Sequence, residues 1–192
     1  SERRDDALHP NKWRPIMAIT TELSKFFKQE LLKGSHDFDA HTFRVALIKV
    51  GAARNYNKDV GSYSYLTGGP ISAGESDPSA ATDQVSGTGY DSTFDTFSTG
   101  AAAVLATTTP AGASITYPAI SGDKAIIDFA DAVFASVTVS AIGCILYNAS
   151  MSSASNNLIA SFDFGGTVSA TAGDFTVQFP TPDATNAILR IA

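Results

Sequence analysis

The chain has a single cysteine, Cys144, among 192 residues. One thiol excludes an internal disulfide and any zinc site built on several cysteines. Its surroundings, Ala141-Ile-Gly-Cys-Ile-Leu-Tyr147, are apolar, so Cys144 reads as a small buried hydrophobe rather than a reactive thiol. Histidine is sparse too, with three residues and none after His41. There is no Gly-x-Ser-x-Gly elbow, so the usual signature of an activated nucleophile is missing. Gly87-Thr-Gly89 lacks the third glycine and following helix of a dinucleotide loop and reads as a turn. No apolar run reaches the roughly 18 residues of a membrane span. The best candidate for a secretory signal, Ile19 to Leu32, is interrupted by Glu22, Lys25, Lys28 and Glu30. The expectation is a soluble protein made in a cytoplasm, with no cofactor, no metal and no membrane partner.

Basic residues are nearly absent from most of the chain. Of the thirteen Lys and Arg residues, eleven lie at or before Lys58, and only Lys124 and Arg190 follow. The first 58 residues carry a formal charge of +4 and the remaining 134 carry −10. An acidic body is a poor partner for nucleic acid. Residues 1–16, SERRDDALHPNKWRPI, show no helical or strand period, and Pro10 and Pro15 disfavour regular structure. They read as an extended arm ahead of a single β-rich domain over 17–192, with Met17-Ala18 resembling a start of translation. Arg3, Arg4, Lys12 and Arg14 are the arm's cations, diluted by Glu2, Asp5 and Asp6. An acidic protein surface suits them better than a phosphate backbone. Trp13 beside Arg14 has the composition of an interface anchor; folding back onto its own domain is the alternative.

The pattern predicts one amphipathic helix over 20–33. Thr20 or Thr21 would cap it, Leu23, Phe26, Phe27 and Leu31 would share its apolar face, and Gly34 would follow as the C′ residue. Residues 42–50 alternate as a strand, with Phe43, Val45 and Leu47 on one face and Ala46 and Ile48 on the other. Residues 51–112 are mostly loop. Further strands are expected near 113–117, 123–130, 133–139, 141–148, 157–164, 173–179 and 185–191, with Phe175, Val177 and Phe179 pointing inward. Short strands separated by turn residues predict a mainly β fold, an antiparallel sandwich or barrel.

Candidates for chemistry are few. His36-Asp-Phe-Asp-Ala-His41, if extended, would put Asp37, Asp39 and His41 on one side, but no second ligand group with metal spacing appears elsewhere, so it reads as a polar helix-to-strand connection. Asp123, Asp128 and Asp131 could touch a cation, but turn capping explains Asp128. Tyr56, Tyr63 and Tyr65 are the one aromatic cluster that would suit a sugar.

Five segments in order carry a resemblance. They are Phe27-Lys-Gln-Glu-Leu-Leu-Lys-Gly34 leading through His36-Asp-Phe38 into Phe43–Ile48; Val85-Ser-Gly-Thr-Gly-Tyr90; Ile127-Asp-Phe-Ala-Asp131; Cys144-Ile-Leu-Tyr-Asn148; and Ala172-Gly-Asp-Phe-Thr-Val-Gln-Phe-Pro180 with Ile188-Leu-Arg-Ile191. In that order they resemble a family of small virion structural proteins of tailed bacteriophages, from about Met17 to the C-terminus. The resemblance implies a virion component with no catalytic residues. The expected role is a non-enzymatic capsid decoration or cement protein, homo-oligomeric, binding the major capsid protein or tail proteins, with Arg3, Arg4, Lys12, Trp13 and Arg14 as partner-binding residues. A tail, baseplate or fibre-adaptor protein is the first alternative. A carbohydrate-binding β-sandwich for host attachment is the second.

Overall fold

The computed structural model describes residues 19, 21–38, 40–69, 82–90, 119–127, 129, 131–152, 155–179, 185 and 187–192. The arm, the strand expected at 113–117, and Asp39 and Asp128 lie outside them. Among the described residues the fold is mainly β, with antiparallel sheets and one short α-helix. In chain order the elements are β1 (Glu22–Leu23), α1 (Lys25–Leu32), β2 (Phe43–Lys49), a 3₁₀ turn (Tyr63–Leu66), β3 (Ala119–Ser121), β4 (Lys124–Ile127), β5 (Ala132–Asn148), β6 (Leu158–Val177) and β7 (Leu189–Ile191). One sheet has the order β1-β6-β5-β2 and the other β3-β4-β7. Among the described residues neither closes into a barrel.

The helix begins later than its apolar spacing predicts. Ser24 is the N-cap, in an extended conformation, and its Oγ accepts from the N–H groups of Phe26 and Phe27 at 3.2 and 3.5 Å. Glu22 and Leu23 instead pair with Ser161 and Ala160 of β6, and the Ser24 and Lys25 N–H groups, which an α-helix start leaves without intrahelical partners, donate to the Ile159 and Lys58 carbonyls. The helix ends at Gly34, whose φ of 71° suits glycine. There the Ser35 N–H reaches back to the Glu30 carbonyl and the Gly34 N–H to that of Leu31, closing off the last carbonyls. Phe27 is fully buried, whereas Leu32 is 91% exposed.

The strands expected at 133–139 and 141–148 are one strand, β5, and those at 157–164 and 173–179 are one strand, β6. At 17 and 20 residues both far exceed the usual five or six. Serine and glycine between the apolar runs produce bulges rather than turns. The β5–β6 register shifts at Phe134/Val137, Val137/Val139, Ala141/Gly143 and Leu146/Tyr147. Ser136 and Ala172 take the left-handed φ of 55° and 47° at these irregularities. The Ser136 N–H donates to Asp174 Oδ1 and the Ala172 N–H to Thr138 Oγ1, each at 3.0 Å, so side chains replace missing ladder bonds.

The four-stranded sheet is buried on both faces where β2 meets β5. Phe43, Val45, Leu47, Cys144 and Leu146 belong to one core cluster; Ala46, Ile48, Ile145 and Tyr147 belong to another. The first is covered by Phe27, Phe38, Tyr90, Phe129 and by Ile127 and Leu189 of the smaller sheet. The second is covered by Ile19, Ala52, Tyr56, Val60, Tyr65 and Leu66. Phe175 and Val177 are buried as their alternation requires, while Phe179 is half-buried. Phe179 still belongs to a run of aromatic contacts, at 6.2 Å from Phe129 and 5.8 Å from Phe162.

Candidate interaction surface

The buried titratable groups serve packing. Burial pushes the Cys144 thiol and the Tyr56 and Tyr147 hydroxyls far above their ordinary ranges, so none is an available nucleophile or base near neutral pH. Tyr56 OH donates to Asp83 Oδ2 at 3.1 Å. Asp83, fully buried, also accepts from the Ala53 N–H at 2.8 Å and the Arg54 N–H at 3.0 Å. The Arg54 guanidinium lies 4.5 Å over the Tyr65 ring and donates to the carbonyls of Tyr65 and Gly69. Residues that the sequence offers as open loop are thereby tied to the strand-like stretch 83–85. That stretch extends the sheet past β2, through Lys49 N–H to Asp83 O at 2.8 Å and Val85 N–H to Leu47 O at 3.1 Å.

This burial takes Tyr56 and Tyr65 out of the sugar platform suggested by the tyrosines, and the Tyr63 side chain lies outside the described residues. A stacking surface needs exposed ring faces, and Tyr56 and Tyr65 are 0% and 7% exposed. The His36–His41 stretch is a polar connection. His36 is buried, and both histidines turn their Nδ1 atoms toward the Asn148 side chain, at 3.2 and 2.9 Å. Among the described residues no group of three or more His, Cys, Asp or Glu is placed to hold a metal ion. Asp131 caps instead, accepting from the Phe179 N–H at 2.9 Å. Arg3, Arg4, Lys12, Trp13 and Arg14 lie outside the described residues. No helix among the described residues is long and apolar enough to cross a membrane.

The distinctive surface is the outer edge of β6. β5 pairs with one side of it from Leu158 to Val177. On the other side, β1 reaches only Ala160 and Ser161, and the Thr21 hydroxyl accepts from the Asp163 N–H at 3.0 Å. Beyond Asp163, among the described residues, no strand covers that edge. Asp163, Thr167, Val168, Ser169, Thr171, Asp174 and Thr176 are all exposed. The strand contains no Lys, Arg or Pro, the residues by which proteins commonly blunt such an edge. Its bulges twist the ribbon without closing it off. An exposed strand edge of this kind can pair with an extended segment through main-chain hydrogen bonds. Sequence reasoning missed this surface because the strand's length emerges only from pairing. The run Gly165-Gly166-Thr-Val-Ser-Ala-Thr-Ala-Gly173 reads as a turn until β5 is placed beside it. No protein-family model, curated protein or solved structure matches the chain.

Proposed function

We propose that the chain is a non-enzymatic structural protein of a tailed-bacteriophage virion, acting as a capsid decoration or cement protein. It docks on a coat lattice and joins neighbouring subunits. The β6 edge carries this reading: beyond Asp163 no strand covers it among the described residues and it holds no Lys, Arg or Pro, so it suits association with another protein. The ordered resemblance of Phe27–Gly34, Val85–Tyr90, Cys144–Asn148 and Ala172–Pro180 to virion structural proteins adds to it. In the same reading the two sheets are the layers of a sandwich, a packing supported by Ile127 and Leu189 sharing a core cluster with Phe134 and Val177. The basic arm, with Trp13 and Arg14 as anchors, supplies a second contact to an acidic neighbour.

The test is co-sedimentation with particles that lack the protein. Wild type is retained, and retention falls with added salt. Thr171→Lys, an exposed substitution that blunts the edge, weakens retention without lowering the thermal midpoint. Equal retention of wild type and Thr171→Lys overturns the edge as the contact, and no retention of either overturns the decoration role. Stoichiometry separates the tail alternative: copies on the order of hundreds per particle mark a lattice protein, whereas one small ring marks a tail or baseplate component.

A further inference from the structure

We infer that Asn148, His36 and His41 form an acid-released latch holding the 35–42 connection against the end of β5. The inference is independent of the virion reading. One carboxamide serves two imidazoles. Asn148 Oδ1 accepts from the Ser150 N–H at 3.0 Å, which turns the NH₂ of the same amide toward the histidines. That NH₂ has two hydrogens, and it stands 3.2 Å from His36 Nδ1 and 2.9 Å from His41 Nδ1. The Asp37 N–H also points at His41 Nδ1, at 3.3 Å. Both Nδ1 atoms must therefore accept, and an imidazole can accept only when neutral. A proton on either Nδ1 would set N–H against N–H.

The latch joins parts that nothing in the chain order brings together. His36 and His41 flank the connection between α1 and β2, while Asn148 ends β5 and is fully buried. His36 lies edge-on to Phe27 at 4.9 Å, so its release frees a core contact as well. The groups facing His36 are of both kinds. Glu30 on α1 favours the charged imidazole, but that carboxylate is already engaged by Lys33 Nζ at 2.9 Å and Ser35 Oγ at 2.7 Å. His41 on the same connection opposes the charge, a backbone hydrogen bond at Asn156 before β6 favours it, and the Asn148 amide of β5 carries no charge. Desolvation outweighs these and lowers His36 from 6.5 to about 4. A lowered histidine pKa gives stability that is present above 6.5 and lost as the pH falls toward 4.

The experiment uses the full chain and nitrogen-15 NMR of the imidazoles, with amide exchange followed across the same pH range. At pH 7 the His36 ring should be neutral and protonated on Nε2. Corrected for intrinsic chemistry, opening of residues 36–42 should rise by roughly tenfold per pH unit through the window between 6.5 and about 4. Asn148→Asp replaces the donor by an acceptor that prefers a charged imidazole, so His36 should be less depressed and the acid-driven rise in opening over that window should be weakened or lost. His41→Gln keeps an acceptor for Asn148 and leaves His36 in place, so its acid response over that window should be retained. A ring protonated on Nδ1 at pH 7, a pH-independent opening, or an Asn148→Asp profile identical to wild type would overturn the latch.

Discussion

Asp83→Ala tests whether residues 51–69 are a built element rather than a loop. The substitution removes the acceptor for the N–H groups of Ala53 and Arg54 and for Tyr56 OH. The Arg54 and Tyr56 donors are buried, while Ala53 has partial access to water. Each buried donor left without an acceptor costs about 1–3 kcal/mol. Lys49, 3.8 Å from Asp83 Oδ1 and with a side chain 40% exposed, can turn to solvent, so its loss adds little. The expected destabilisation is about 3–5 kcal/mol, less whatever an entering water recovers. Tyr56→Phe removes one donor and leaves the carboxylate its two backbone partners, so it should cost about 1 kcal/mol. Urea denaturation reads both values, with an unchanged m-value showing that the unfolded reference has not moved. Amide exchange should place the effect in 52–67 and 83–85, leaving the β5–β6 pairing protected. If Asp83→Ala costs no more than Tyr56→Phe, the carboxylate is not the hub described and the segment is held by apolar packing.

Phe175→Ala, which empties a site shared with Phe134 and Phe164, should destabilise by about 3–5 kcal/mol in the same denaturation assay. A value near zero would mean that the β6 register is wrong. Gly87→Ala should lower stability by about 3 kcal/mol, because its Cβ would stand 2.1 Å from the Thr138 carbonyl oxygen, a backbone atom that cannot turn aside. Gly166→Ala meets nothing within 4 Å and should stay within about 0.5 kcal/mol of wild type. Equal thermal midpoints for the two alanine variants would refute the close approach of the 87–90 turn to β5.

Local pattern determined the parts of this protein that depend on near neighbours. The alternation from Phe43 to Ile48 named both faces of β2 correctly, because side chains in a strand alternate whatever lies beyond it. Gly34 was legible as a helix stop, and the apolar setting of Cys144 as burial. What the pattern could not say is that both faces of β2 are covered: that depends on residues 52–66 and 83–90 folding back over the sheet. Likewise Ser140, Gly165 and Gly173 look like breaks in isolation, and only the facing strand pairs Ser140 in register with Ser169 and absorbs the glycine-rich run in bulges within two long strands. Ser24 displaced Thr20 and Thr21 as the helix cap because β6 claims Glu22 and Leu23. The Asp83 hub joins positions about thirty residues apart, and the Asn148 latch joins positions more than one hundred apart. Hydrogen-bond partners at such separations leave no period, spacing or composition to read, so the edge, the hub and the latch were all decided by tertiary structure.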